Sequence, residues 1–337
     1  MQRQAIRNIS AGFGDGGYYH EGAGPGMVGS QGAFQSYLQA LGTAAGRDCL
    51  NGPRPNASFL AMLRVMETIG PPPVYPYRTV MGPTYGSWEF FKDRAGFSHG
   101  GHFSEGFGAI AQRYKPAYLW FYQHAVEPEP AARDFDTPSL YPHRPMLALI
   151  NWPTFSGVQE RNPAEVLPKV HRDNLYDYFV FRNRWQDRDD IVTTALINMP
   201  EGTRPHSVMV WGLGTRNDFG DAPFRVRVND FQPGQDGSGT LSAANWALAV
   251  DYSGASGADA LVVSVGNTVK PDARSDKVRI TTLGDGKTAF NILTLSSAGR
   301  HPEAKADGDK LLVGKQTVTF SGGRLTLGVF EPQKSRD

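Results

Sequence analysis

The densest run of groups able to move protons or grip a polar solute is Tyr18, Tyr19, His20 and Glu21, four adjacent side chains inside the Gly-rich stretch Gly12 to Gly26. A second run, GFSHGGHFSEG, brings His99, His102 and Glu105 close together between Gly96 and Gly106. Aromatic and polar groups on a Gly-rich loop suit a sugar cleft, since rings stack on pyranose faces while polar groups reach hydroxyls. The plainer reading of the first run is that its rings pack the rim of a helical layer and Glu21 caps the turn that follows. His99 and His102 have His-x-x-His spacing but no evident third ligand on their Gly-Gly loop, so a metal is not expected there. His20 and Glu21 do not begin an HExxH helix, because position 24 is glycine. Glu21 and Glu105 are a carboxylate pair of the kind that hydrolyses glycosides, a third-ranked reading.

Further along, RNRWQDRDD carries Arg182, Arg184 and Trp185, which can hold an acidic sugar by charge and stacking. Equally, Trp185 can anchor a sheet while the arginines pair with Asp187, Asp189 or Asp190. His171 and Asp173 stand just before the first strand pattern, where they can line a cleft between two halves of the chain. GLGTRNDFGDAP, from Gly212, holds no GxGxxG and follows a strand without a helix, so no dinucleotide is expected. Cys49 is the single cysteine; it can form neither an internal disulfide nor a CxxC pair and reads as a small buried hydrophobe.

The elements that must position these groups change character near residue 170. From Met27 to Ala45 the apolar residues Met27, Phe34, Leu38, Leu41 and Ala45 fall on one helical face. A second helix runs through Phe59, Leu60, Leu63, Met66 and Ile69 until Gly70 and three prolines stop it. A third is marked by Phe107, Ile110, Ala111, Tyr114, Tyr118 and Phe121, with Pro116 expected to break or kink it. Residues 126–170 form a Pro-rich connection with one strand expected from Met146 to Asn151. Beyond it the period becomes two, in YDYFVFR, DIVTTALI, SVMVWG, FRVRV, WALAVDY, ALVVSV, KVRITTL, FNILTL, KLLVG, QTVTF and RLTLGVF. Short strands separated by turn clusters such as PGQDGSG and ADGDK predict an antiparallel sandwich. The chain of 337 residues, 40% apolar, can supply two cores, and Gly 39 with Pro 24, roughly a fifth of the chain, predicts abundant loops. A net charge of +1 without a basic block argues against nucleic acid as a partner. No apolar run approaches the roughly 20 residues of a membrane span, and the first residues show no secretory signal.

The stretch GFGDGGYYHEGAGPGMVGSQGAFQSYLQALGTAAGRD, Gly12 to Asp48, resembles the late-toroid motif of heparinase II/III-like polysaccharide lyases. In that family an Asp-Gly, an aromatic pair and a Glu-Gly precede a helix ending in a similar Gly-x-Asp. HRDNLYDYFVFRNRWQDRDDIVTTALI, His171 to Ile197, resembles the opening strands of the same family's sandwich, where an Arg-x-x-Trp lies between two strands. The resemblance implies an α+β multidomain fold, an incomplete (α/α) toroid over 1–125 and an antiparallel β-sandwich over 171–337. It also implies an acidic polysaccharide or oligosaccharide as partner, no cofactor, and a periplasmic or secreted location. Upstream helices and a targeting segment are expected to belong to the natural unit.

Lyases of that family break a glycosidic bond beside a uronic acid by β-elimination. A base removes the C5 proton, an acid protonates the departing oxygen, and a cationic or hydrogen-bonding group neutralises the neighbouring carboxylate. On the resemblance, Tyr19, His20 and His102 are the catalytic candidates, with Tyr18, Glu21, His99, His171 and Arg182 contacting substrate. Two stretches depart from the family pattern. A tyrosine usual just beyond the Glu-Gly is replaced by Ala23, Gly24, Pro25 and Gly26, and a His-x-His-x-Asp cluster is reduced to His206. A non-catalytic carbohydrate-binding or structural relative is therefore the alternative.

Overall fold

A computed structural model describes residues 11–19, 37, 40–42, 44–52, 58–72, 106–126, 149–197, 207–223, 225–269, 275–284 and 287–330. Among them the chain is mainly antiparallel sheet, with fifteen strands in three sheets and few helices. The first sheet is a meander of β1 (Val170–Asp173), β2 (Tyr178–Arg182), β3 (Val192–Leu196), β4 (Val208–Gly212) and β5 (Thr215–Asp218). The second joins β6 (Asp230–Pro233), β7 (Gly239–Ala243), β8 (Trp246–Asp251), β9 (Ala260–Val265), β10 (Val278–Gly284) and β11 (Ala289–Leu295) in the order β10-β11-β9-β8-β7-β6. The third is a meander of β12 (Ala304–Asp307), β13 (Lys310–Val313), β14 (Gln316–Ser321) and β15 (Arg324–Val329).

The second sheet is the middle layer, and its sequence shows why. In β8, Trp246, Leu248 and Val250 point into a core shared with Phe179, Phe181, Val208 and Val210 of the first sheet. Ala247 and Ala249, between them, point the other way, into a core shared with Leu311, Val313, Val318 and Leu325 of the third. Strand β9 repeats the arrangement, Ala260 and Val262 on one side and Leu261, Val263 and Val265 on the other. A strand buried on both faces reads as a continuous apolar run, because successive side chains enter different cores. Sheet packs on sheet, as the β-sandwich expectation requires.

The outer face of the first sheet is covered by helix and loop. Helix α1 (Phe59–Ile69) buries Leu60, Leu63 and Phe59 against Phe13 and Ala109, with Tyr37, Leu41 and Cys49 half-buried beside them. Residues 37, 40–42, 44 and 45 are helical, in the first helix expected from the periodicity. The third stretch is broken just ahead of Pro116, and only its second part is α-helix. Pro116 stands in the first turn of helix α2 (Lys115–Phe121), where its missing N–H costs nothing, after two short 3-10 turns. One π-type turn, Tyr122–Val126, follows.

Three strand expectations are corrected. Leu149 and Ile150 lie in a helical turn rather than a strand. Of the expected FRVRV strand, the described residues Arg225 to Val228 form no strand: Arg225 has φ 54, a value that takes the backbone out of extended geometry, and pairing begins only at β6. Strands β1, β5, β6, β7 and β12 lie outside the expected segments, being short and largely polar or small in composition, and their ladders come from neighbours rather than from their own pattern.

The middle layer sets a testable cost. Leu248 is fully buried in the core between the first two sheets. Leu248→Ala is expected to lower the unfolding free energy by about 3 kcal/mol, read from the urea midpoint at unchanged slope.

Candidate functional site

The Gly-rich loop 11–19 lies against β1, and two aspartates bind the pair reciprocally. From β1, one oxygen of Asp173 accepts the Gly16 amide at 2.8 Å and the Tyr18 amide at 3.0 Å. Its other oxygen accepts the Leu175 and Tyr176 amides, each at 3.1 Å, closing the turn into β2. From the loop, Asp15 accepts the Asn174 amide at 2.7 Å, the Asn174 side chain at 2.9 Å and the Leu175 amide at 3.3 Å. Beside them, the His171 ring donates from Nε2 to the Gly16 carbonyl at 3.1 Å, because a carbonyl can only accept.

Glycine is required for this approach. A Cβ on Gly14 would fall 2.0 Å from an Asp173 oxygen, and one on Gly17, where φ is +94, would fall 2.4 Å from the Met62 carbonyl of α1. The loop is thus pressed between β1 and α1 with room for backbone only. Tyr18 then inserts its ring into the first sheet's outer face, 4.6 Å from Tyr178 and 5.8 Å from Tyr176, beside Val180, Val192 and Leu196.

Burial controls the charges here. It pushes the Asp173 carboxyl above its usual range against the pull of the Tyr176, Tyr18 and Gly16 amides, and the charge of Asp15 adds to the rise. Asp15 is exposed; burial raises it too, but the Asn174 and Leu175 hydrogen bonds hold it below the usual range. Burial pushes the His171 ring down to about 4, opposed by the Gly16 carbonyl and Asp15, so the ring is neutral at pH 7. The Tyr18, Tyr176 and Tyr178 phenols are all raised by burial, which keeps each of them protonated at pH 7.

The expected site residues separate accordingly. Tyr18, expected to contact substrate, is 1% exposed and belongs to the core, because its ring is the plug that seats the loop. Arg182 is 0% exposed and also holds no substrate. It sits four residues along β2 from Tyr178, roughly 13 Å away, and donates to Asp190 at 3.1 Å and to the Gly70 carbonyl at the end of α1. The Trp185 ring covers its guanidinium at 4.2 Å; the pairing of Arg182 with Asp190 matches the structural alternative, whereas Trp185 packs into the helical core with Val65, Ile69 and Phe121 rather than anchoring a sheet. Burial lowers the Arg182 guanidinium to about 10, with Asp190 opposing, and it remains charged at pH 7. Arg184 supports the same carboxylate at 3.0 Å.

Tyr19 and His171 are brought to one junction. Tyr19 is half-buried at its rim, with its ring 4.7 Å from Phe13. His20, Glu21, His99, His102 and Glu105 lie outside the described residues. Asp15, Asn174 and Tyr176 are not singled out by the sequence reading; the pattern DNLYD, an Asx turn before a strand pattern, is the signal that marks Asn174 and Tyr176, while Asp15 between glycines carries none. Among the described residues no three His, Cys, Asp or Glu are placed to hold a metal, and no helix is long and apolar enough to cross a membrane. The junction can therefore position a half-buried phenol beside fixed backbone and an exposed carboxylate and amide, an arrangement suited to hydroxyl-rich solutes.

Compared with models of protein families, with curated proteins and with solved structures, the chain matches none of them.

Two substitutions test the geometry. Asp173→Asn keeps the shape but turns an N–H-bearing group toward two of the four amides; it is expected to cost about 2–4 kcal/mol in chemical denaturation. Arg182→Met leaves Asp190 buried without its main partner and is expected to cost about 3–5 kcal/mol, while Arg184→Met, at the exposed end of the network, is expected to cost under about 1 kcal/mol.

Proposed function

We propose that this chain is a heparinase II/III-like polysaccharide lyase relative that takes a uronate-containing polysaccharide at the junction of the Gly-rich loop and the sandwich. The helical layer is read as the last part of an incomplete (α/α) toroid, and the natural protein as periplasmic or secreted, where such polymers are met. One observation carries the proposal. The motif that resembles the family's late toroid is bound by Asp15 and Asp173 to the segment that resembles its opening strands, with Tyr19 left at the half-buried rim. Two distant stretches of sequence with one family resemblance thus meet at one place.

In this reading Tyr19 moves a proton at the sugar. His20 and His102 complete the proton transfer and carboxylate neutralisation, and Glu21, His99 and His171 contact the chain of sugars. Asp15 and Asp173 hold the loop so that Tyr19 is placed before substrate arrives, which lowers the entropic cost of reaching the reactive geometry. Removal of the C5 proton, with departure of the protonated glycosidic oxygen, leaves a C4–C5 double bond conjugated to the carboxylate.

A second reading, a binding protein without catalysis, is favoured by the engagement of His171, Asp173 and Arg182 in structural hydrogen bonds. Incubation with alginate, heparan, chondroitin and ulvan separates the two. New ultraviolet absorbance from unsaturated uronate on one polymer, reduced about 100-fold or more in Tyr19→Phe, is the expected result. Retardation in polymer-containing gels with no new absorbance would establish the binding reading instead.

A further inference from the structure

Away from the junction, a short turn carries a reactive pair of residues. Asn51 is the only asparagine in the chain that is followed by glycine. Both polar atoms of its side chain are held: Nδ2 donates to Asp48 Oδ2 at 2.6 Å, and Oδ1 accepts the Gln112 amide at 2.9 Å. Asp48 also accepts the Leu50 and Asn51 amides, at 2.9 and 3.0 Å, while Cys49 and Leu50 pack half-buried beside Phe59 and Leu60 of α1. The turn 48–52 is thus fastened to α1 and, through Asn51, to the 3-10 turn that leads into α2. Asn51 itself is exposed, and among the described residues nothing accepts the Gly52 N–H.

We propose that Asn51–Gly52 is a self-modification site, where the chain closes to a succinimide and reopens as aspartate or isoaspartate, releasing the turn from its tie to Asp48. The proposal does not depend on the glycan reading. In the first step the Gly52 nitrogen gives up its proton and bonds to Cγ of Asn51. The bond from Cγ to Nδ2 breaks, and the departing nitrogen takes up a proton and leaves as ammonia. Water then opens the ring at either carbonyl. Cleavage between Cγ and the ring nitrogen gives aspartate, and cleavage between the main-chain carbonyl carbon and that nitrogen gives isoaspartate. The sum is hydrolysis of one side-chain amide, with no change of oxidation state.

The surroundings of the pair promote each step. Glycine at 52 has no side chain to obstruct its nitrogen. Rotation about the Asn51 Cα–C bond moves that nitrogen relative to Cγ, and no hydrogen bond at Gly52 resists it. The Gln112 N–H already points at the oxygen that carries negative charge once the nitrogen has added, so it stabilises the intermediate as an oxyanion-hole donor does. The product then reverses the local charge balance. The Asn51 side-chain hydrogen bond is the main influence holding the Asp48 carboxyl below its usual range, with the Asn51 and Leu50 amides adding to it, so Asp48 is ionised at neutral pH. A carboxylate at position 51 removes that donor and sets two negative groups where a bonded pair stood, and the net charge of the chain falls from +1 to zero.

Storage of the whole folded chain in mildly alkaline buffer, followed by ion exchange and peptide mass spectrometry, tests this. An acidic variant is expected to accumulate, to map to Asn51 as a mixture of isoaspartate and aspartate, and to outpace conversion at every other asparagine about tenfold or more. Gly52→Ala is expected to slow it about tenfold. Gln112→Pro deletes the donor at the start of the 3-10 turn, where the extended Ala111 ahead of it suits a proline, and is expected to slow it about threefold or more. In Asn51→Asp the Asp48 carboxyl is expected to titrate higher by NMR than in the native chain. No acidic variant, an origin at another asparagine, an undiminished rate in either slowing variant, or an unmoved Asp48 titration would overturn the proposal. If those variants do not fold, the native product decides: the two-product mixture marks the succinimide route, and aspartate alone, which direct hydrolysis gives, ends it.

Discussion

A single buried carboxylate, Asp173, holds the helical and sheet portions in register. Each of its oxygens accepts two amides, one pair from the Gly-rich loop and one pair from the turn into β2. Amides buried without acceptors are costly, and a carboxylate buried without donors is costlier still, so neither side can dispense with the other. The rest of the junction follows from that exchange. The turn is shaped so that Asp15 can answer from the loop, Tyr18 falls onto Tyr178, and Tyr19, the next residue, is carried to the rim.

A second buried charge pair performs a similar office at the other end of β2. Arg182 joins Asp190 of the following loop to the last carbonyl of α1, with Trp185 and Phe121 rings against the guanidinium. The two polar ties lie on neighbouring strands, Asp173 on β1 opposite Tyr178 and Arg182 at the far end of β2, and the apolar contact of Tyr178 and Val180 lies between them. Helix α1 needs the tie because Gly70 at its end is extended rather than left-handed and caps only through its own amide to Met66.

Much of this was legible in the sequence, and what was not has physical reasons. Strands such as WALAVDY and ALVVSV announce themselves because both faces are apolar, and α1 because its face repeats with helical spacing. β12, with sequence AKAD, and β5, with TRND, carry no such pattern, since their place is set by the strands they pair with. Arg182 and Tyr18 looked like ligands for an acidic sugar because charge and aromaticity are the same signal whether a residue faces a groove or a core. What separates the cases is the partner, and Asp190 and Tyr178 become partners only once the chain has folded. Asp15 is hidden in the sequence for a related reason: an aspartate between glycines reads as a turn residue until the distant Asn174 amide is found against it.

The Gly16 amide and its acceptor are separated by 157 positions in the chain. Closing so long a segment costs on the order of 4 kcal/mol in chain entropy before any contact rewards it. During synthesis the aromatic plug therefore emerges from the ribosome long before its socket does. Phe13 and Tyr18 must wait in solvent, or in the care of a chaperone, until β1 and β2 have been made and paired. The joint that unites the two portions is in that sense the last to close, and the nascent chain is most prone to aggregate in the interval before it does.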